Sequence, residues 1–300
     1  MRVLLLGPNG QLGTDLRAAC ARDGDRLELV PVGRDTLDVS QADHVYAYLV
    51  ASRFDALVNC TGYHKTDDVE DNAQHAVAVN AHAVQAMAQA CAVQEARFFH
   101  VSTDYVFGGG TGQERPLRED EPIAPLNVYG ATKALGENLA LRALPQAVVF
   151  RVASLFGRVG ASGKGGNFVE TMIRVGSQQG ALKVVDDQTM SPTSTADVAH
   201  ALRLALTEGC APGIYHAVNS GTATWYDFAC AIIEQAGVEA SVTPCPSSAY
   251  PMRAARPCYS ALSNEKVASE LVTMPTWHDA LVRYLEARDD TEKSSAGSGQ

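Results

Sequence analysis

Residues 3–6 form an apolar run that passes directly into Gly7-Pro-Asn-Gly10-Gln-Leu-Gly13, followed by Leu12, Leu16, Ala19 and Cys20 at helical spacing. A buried strand turning on glycines into an amphipathic helix opens a strand and helix alternation. The alternation continues with a strand at 27–32, a helix from about Ser40 carrying Val45 and Leu49, and a strand at 56–60. Val69, Val77, Val84, Met87 and Cys91 mark a long amphipathic helix, and a strand at 98–101 follows. A helix through 132–141, a strand at 148–152, a helix near 168–175 and a strand at 182–185 extend the pattern. Such alternation predicts an α/β fold of the Rossmann type, a doubly wound parallel sheet with right-handed crossovers. Ligands of such sheets sit beyond the carboxyl ends of the strands.

Past residue 186 the character changes. Thr195 is read as the cap of a helix bearing Val198, Leu202 and Leu206, and 214–218 as another strand. Thr224-x-x-Asp227 is a capping box before Phe228, Ile232 and Ile233. Residues 241–262 hold four prolines and little periodicity, and Pro275 opens a last helix through Leu281 and Leu285. The expected organisation is a dinucleotide-binding domain (1–155 and 189–218), a smaller C-terminal α/β substrate lobe (156–188 and 219–288) and a disordered tail (289–300), where Ala296 is the one aliphatic residue.

A chain of 300 residues can bury about three quarters of its unfolded surface. With 34 acidic against 24 basic side chains it lacks the basic excess that binding to nucleic acid requires. Seven cysteines without Cys-x-x-Cys suggest neither a disulfide framework nor a zinc ribbon, and a reducing cytoplasm is expected. The most apolar stretch, 76–93, is interrupted by Asn80, His82, Gln85 and Gln89, so no membrane partner is expected. No metal is expected either: the histidines form no His-Glu-x-x-His, and Asp186 and Asp187 are adjacent on a strand, pointing apart. Ser220 lacks the Gly-x-Ser-x-Gly of a hydrolase, and the spacing before Gly163-Lys164 does not fit a phosphate-binding Walker loop.

Gly7, Gly10 and Gly13 stand where a dinucleotide fingerprint requires them, between a strand and a helix whose first N–H groups favour a pyrophosphate. At the end of the second strand, where an acidic residue would bind a ribose 2′-hydroxyl, the chain has Val32-Gly33-Arg34. Arg34 suits a 2′-phosphate, so NADP is the expected cofactor, with NAD left open. Tyr129 and Lys133 lie four apart on one helix face. A phenol beside an ammonium is shifted toward acid–base work near neutrality. Ser102-Thr103-Asp104 at the end of the preceding strand puts a hydroxyl where a substrate carbonyl could be bound.

On these residues the chain resembles an extended short-chain dehydrogenase/reductase, and specifically the dTDP-4-dehydrorhamnose reductase family, over about residues 2–286. The resemblance runs through Gly7 to Gly13, Leu37-Asp-Val39, Val58-Asn59 to Asp67, Val101-Ser-Thr-Asp-Tyr-Val-Phe107, Asn127-Val-Tyr-Gly-Ala-Thr-Lys133 and Gly136-Glu137. It continues in Gly166-Asn-Phe168, Val185-Asp-Asp-Gln188, Ser191-Pro-Thr193, Gly213-Ile-Tyr-His216, Arg256-Pro257 and Ser260. It implies hydride transfer from nicotinamide to C4 of a 4-keto nucleotide sugar, with Tyr129 as proton donor, Lys133 holding the ribose and tuning Tyr129, and Thr103 at the keto oxygen. Gly10, Gln11 and Leu12 would line the pyrophosphate, Asp38 and Val39 the adenine, and Gly62, Tyr63 and His64 the ribose and nicotinamide. Asp104, Ser154, Asn167 and Arg256 would face the sugar nucleotide, with Lys164 and Arg253 as further cations for its diphosphate. A homodimer is compatible with the resemblance but is not read from the residues.

Three stretches depart from the family pattern. Arg151-Val-Ala-Ser154 lacks the tryptophan often found beside the sugar, Cys60-Thr-Gly-Tyr-His-Lys-Thr66 stands where the family has an alanine-rich stretch, and Thr189-Met190 replaces an aromatic-glycine pair. Other readings are another nucleotide-sugar ketoreductase or epimerase, or a non-catalytic NADP-binding regulatory subunit. A 4,6-dehydratase would carry an acidic pair after Thr103, where this chain has Asp104-Tyr105.

Overall fold

The computed structural model describes residues 1–21, 26–108, 115–160 and 166–297, with side chains to residue 288. Five strands, β1 (Arg2–Leu6), β2 (Glu28–Val32), β3 (Ala56–Asn59), β4 (Arg97–Thr103) and β5 (Val148–Val152), join the strand Gly213–His216 in one parallel sheet. From one edge the order is Gly213–His216, β5, β4, β3, β1, β2. The order reverses beside β1, so the carboxyl ends of β1 and β3 flank the switch point where such sheets bind ligands.

Side chains of β1 alternate between two cores, as a strand's period of two requires. Val3 and Leu5 pack with Leu12 and Leu16 of the helix Gln11–Cys20 and with Val198 and Leu202 of the helix Thr195–Thr207. Leu4 and Leu6 pack on the other face with Val45, Leu49, Val84 and Met87. A third core unites Phe156, Val169, Ile173, Phe228, Ile232, Trp277 and Leu281.

Several local expectations change. The strand Ala181–Val185 leaves the main sheet and pairs in parallel with Ser241–Cys245, in the stretch that had shown no periodicity. Its alternating exposure, with Lys183 outward, suits a sheet wetted on one side, whereas all of β5 is buried. The helix expected to be capped by Thr195 is capped instead by Ser194, whose hydroxyl accepts from Ala196 N, while the Thr195 hydroxyl donates to Asp15. The capping box of Thr224 and Asp227 forms. The final helix runs Trp277–Gly297 and so enters the segment 289–300 expected to be disordered, because extending a nucleated helix costs little even without aliphatic residues. Residues 298–300 of that segment lie outside the described residues.

The stretch Ala73–Val93 is continuously helical, with a π-helical segment at Ala78–His82. Its mean hydropathy of 1.2 reaches that of a membrane span despite its polar interruptions, and 61% of that window is buried in the protein. Its apolar face packs on the sheet, as a core helix does.

Gly13 is needed by contact. A Cβ there would lie 2.1 Å from the Gly7 carbonyl oxygen, and Gly7 itself has φ +78°. Beside Gly33, by contrast, a Cβ would meet nothing within 4 Å. Gly13→Ala is expected to cost about 2 kcal/mol or more and Gly33→Ala less than about 0.5, measured by urea unfolding.

Candidate active site

Above the switch point, the helix Gln11–Cys20 begins at Gly10, which supplies no side-chain cap, so its first N–H groups remain for an anion. Gln11 Oε1 is buried with no hydrogen-bond partner among the described residues. An unsatisfied buried oxygen at an uncapped helix start fits a site built for a polar ligand, and the residues present accommodate a dinucleotide phosphate. Leu12 is buried below in the core.

The strand after this helix ends at Val32, and Arg34 beyond it is exposed. Asp38 accepts from Ser40 N at 3.0 Å. That bond and the Ser40 hydroxyl hold its carboxyl below the ordinary range, and the charges of Arg34 and His75 act in the same direction. Val39 packs against the second core.

Beyond β3 the chain crosses the sheet at Gly62, Tyr63 and His64. Asn80, from the π-helical segment, accepts from Tyr63 N at 2.8 Å and donates to Tyr63 O and Thr132 Oγ1, each at 3.1 Å. A Cβ on Gly62 would come to 3.4 Å from Asn80 Oδ1 and 4.0 Å from Lys133 Nζ, so this stretch of backbone runs beside the buried lysine. His64 Nδ1 lies 3.3 Å from Gly62 O.

Tyr129 and Lys133 stand on the helix Val128–Ala143. Its cap, Asn127, accepts from Gly130 N at 2.8 Å and donates to Ala255 O at 2.8 Å. Gly130 lets the helix approach Tyr105, whose carbonyl a Cβ would meet at 2.1 Å, and Gly136 does the same at Asn80. One turn past Lys133, Glu137 receives Arg151 of β5 through both carboxylate oxygens at 2.7–3.2 Å, with both side chains 3% exposed or less.

At the end of β4, the Thr103 hydroxyl donates to Asp104 Oδ1 at 2.9 Å and contacts the Tyr129 hydroxyl. Asp104 Oδ2 has no partner at hydrogen-bonding distance among the described residues. Burial raises Asp104 to about 6, against the hydroxyls of Ser260 and Thr103. Tyr129 is raised to about 12, chiefly by burial, with Thr103 opposing and the Asp104 charge adding.

The expectation that Lys133 acidifies Tyr129 does not hold in this geometry. Lys133 Nζ instead lies 2.6 Å from Val101 O and 3.2 Å from His100 Nε2, both in β4. Burial lowers Lys133 to about 8, against the attraction of Glu137. Asn59, which completes this network, lies in the Val58-Asn59 stretch of the resemblance, whereas His100 had no signal in the sequence beyond being a polar residue in an apolar strand.

Of the residues expected at the substrate, Ser154 lines a cleft with Tyr105, Gln188, Thr189, Met190, Trp225, Pro257 and Ser260. Its φ of +43° places it in the left-handed region. Asn167 is used otherwise: it caps the helix Phe168–Gln179 and donates to Gly157 O and Tyr284 Oη. Both amide hydrogens and the oxygen are thus committed to partners around the third core rather than offered to a ligand. Arg256 donates to Asp67 Oδ2 at 2.9 Å and Ala254 O at 3.0 Å, and Arg253 pairs with Asp71. Neither is a free cation: this strap is fastened to the helix Thr66–Asp71. Lys164 lies outside the described residues.

A doubly wound sheet with an uncapped glycine turn and a Tyr-Lys helix beside a threonine defines a nucleotide-binding oxidoreductase of the short-chain dehydrogenase/reductase type. The chain belongs to the family of the RmlD substrate binding domain, whose model matches residues 1–289. It is 38% identical to dTDP-4-dehydrorhamnose reductase of Mycobacterium tuberculosis over 95% of this chain and 93% of that protein. With the Escherichia coli enzyme of the same name it shares 35% identity over 95% and 97%. Among solved structures, it superposes on a dTDP-4-dehydrorhamnose reductase from Clostridium acetobutylicum with a TM-score of 0.88 at 32% identity, covering 96% of this chain and 100% of that one. A Bacillus anthracis reductase in complex with NADP gives 0.87 at 31%, covering 95% and 99%.

Asp104 has a stability consequence. Its folded value, about 6, lies above the ordinary 3.8, so between these the folded state binds more protons and the carboxyl's contribution falls as pH rises. Across about pH 4 to 6, wild type is expected to lose up to about 3 kcal/mol relative to Asp104→Asn, measured by urea unfolding at each pH.

Proposed function

We propose that this protein is an NADPH-dependent reductase of dTDP-4-dehydrorhamnose, acting in dTDP-rhamnose synthesis in the cytoplasm. The observation that carries this reading is the convergence of Tyr129, Thr103 and Lys133 at the end of β4, in a sheet whose β1, one strand beyond β3, ends in the uncapped Gly10 turn. Full-length relatives named dTDP-4-dehydrorhamnose reductase at 35–38% identity support the substrate, and the NADP-bound relative supports the cofactor.

When bound, NADPH supplies the hydride. The chain's own residues do the rest. Gly10, Gln11 and Leu12 would hold the pyrophosphate with backbone N–H groups, Arg34 a 2′-phosphate, and Asp38 and Val39 the adenine side. Gly62, Tyr63, His64 and Lys133 would border the ribose and nicotinamide. Thr103 would hold the keto oxygen, and Tyr129 would give up its phenolic proton to the oxygen as negative charge develops there. A phenol held at about 12 is a weak acid in the resting protein, so it keeps its proton until an alkoxide, a stronger base, forms beside it. Asp104 and Ser154 would meet the sugar. For Arg256 to meet a diphosphate, the anion must replace Asp67 as its partner.

A second reading is favoured by one relative and one wall of the cleft. The chain is 37% identical to a probable dTDP-4,6-dihydroxy-2-methyloxan-3-one 4-ketoreductase of Streptomyces antibioticus over 94% of its length. Ser154, Thr189 and Met190, at positions where the sequence departs from the resembled family's pattern, line the cleft. A related keto sugar is the alternative substrate.

With a panel of dTDP-4-keto sugars, stoichiometric NADPH oxidation followed by product stereochemistry tests both readings. No oxidation with any sugar refutes the reductase. Tyr129→Phe is expected to lower kcat by about 10² to 10⁴ with folding intact, and near-normal kcat removes Tyr129 from the mechanism. Arg34→Ala is expected to weaken kcat/KM for NADPH while sparing NADH, checked by initial rates with each.

A further inference from the structure

At the end of β4, three polar neighbours compete for one hydroxyl. The Thr103 side chain has a single O–H hydrogen and two lone pairs. The backbone N–H of Tyr105 can only donate, and at 3.2 Å it takes one of those lone pairs. One hydrogen and one lone pair remain for Asp104 Oδ1 at 2.9 Å and for the Tyr129 hydroxyl. An ionised Asp104 only accepts, so it draws the Thr103 hydrogen to itself, and the last lone pair receives the hydrogen of Tyr129. Both hydroxyl hydrogens are then used within the protein. A protonated Asp104 reverses the order, because an O–H on Oδ1 donates into the last lone pair of Thr103 and frees the Thr103 hydrogen. With no lone pair left on Thr103, the Tyr129 hydrogen is freed as well.

We infer that a proton on Asp104 turns the hydrogens of Thr103 and Tyr129 toward the ketone oxygen, so that Asp104 sets when this pair can polarise a carbonyl. This rests on the reductase reading and deepens it. The proton comes from solvent and stays on Asp104 through the reaction, and the one passed to the substrate oxygen is still that of Tyr129. In this role Asp104 acts through Thr103 rather than on the ketone, as a positioning residue. Its surroundings suit the role. Asp104 is 3% exposed, its Oδ2 has no partner at hydrogen-bonding distance among the described residues, and burial raises the carboxyl to about 6 against the hydroxyls of Ser260 and Thr103. Ionisation leaves that buried oxygen charged and unsatisfied, whereas protonation leaves it a neutral carbonyl. The titratable groups around it do not override this. Tyr105 and Tyr129, whose rings meet edge to face at 5.9 Å, are both kept neutral by burial. Arg256, beyond Tyr105, is paired with Asp67. At neutral pH the resting site is therefore mostly in the arrangement that withholds both hydrogens, and acid releases them.

The ¹³C resonance of the Asp104 carboxyl, followed against pH in the protein alone and assigned with Asp104→Asn, tests the arrangement without substrate or cofactor. The expected midpoint is about 6. Thr103→Val removes the hydrogen that the carboxylate holds and is expected to raise the midpoint by about one unit, while Thr103→Ser restores it. An unmoved midpoint in folded Thr103→Val overturns the proposal. With NADPH and a dTDP-4-keto sugar, kcat/KM of the wild type is expected to fall about tenfold per pH unit above about pH 6 and to level off about 10²-fold lower, the effect of one donor lost from a developing oxyanion. Asp104→Asn cannot gain or lose this proton and is expected to abolish the fall. A structural role alone would lower kcat/KM at every pH and leave the inflection in place, so the same inflection in Asp104→Asn, or a flat wild-type profile, overturns the proposal. Absence of turnover by the wild type with any sugar refutes the reductase reading, and the carboxyl titration still decides whether Asp104 holds the Thr103 hydrogen.

Discussion

The buried pair of Glu137 and Arg151 sets where the chemistry of this protein stands. It fastens the helix Val128–Ala143 to β5 at a depth where removing either partner would leave an uncompensated charge and cost about 3–5 kcal/mol. Because Tyr129 and Lys133 lie on the same helix, two turns and one turn before Glu137 respectively, the position of the reacting groups relative to β4 follows from this pair. Gly130 and Gly136 allow the approach, and Arg151 also lies 5.0 Å over the ring of Phe107. The site is therefore placed by contacts that do not themselves face a ligand.

On this frame, the ends of β1, β3 and β4 contribute different kinds of group. The first gives backbone N–H donors, the second an irregular segment held by Asn80, and the third a hydroxyl and a carboxyl. The π-helical segment Ala78–His82 matters here because it carries Asn80, whose amide grips Tyr63 from both sides. A local irregularity in a core helix thus fixes a loop on the surface of the sheet.

Much of this was legible in the residues. Buried strands of four to seven residues separated by helical periodicity sufficed for the parallel sheet, since a continuous apolar run has few other uses in a chain of this composition. Glycine spacing located the turn after β1, and Tyr129, Lys133 and Thr103 were recognisable by their chemical types. What was not legible depends on partners distant in sequence. Nothing near Asn167 shows that Gly157 and Tyr284 will take its amide hydrogens. Arg253 and Arg256 looked like free cations because Asp67 and Asp71, some 190 residues earlier, are brought to them only by the fold. Ser241–Cys245 lacks periodicity because its exposure is set by one neighbour, Ala181–Val185, rather than by a core on both faces. His100 was hidden by its setting, since a polar residue inside an apolar strand gives no indication of which neighbour will meet it.

Ser154 bears on how far this cleft can change over evolution. A left-handed backbone at the end of β5 accepts glycine, asparagine or aspartate with little penalty, but excludes the β-branched side chains that otherwise suit strand ends. Valine, isoleucine and threonine are therefore barred from this wall by the main chain, whatever the ligand. Diversification of the cavity by β-branched residues is left to positions such as Thr189, Met190 and Trp225, where no such constraint on φ applies.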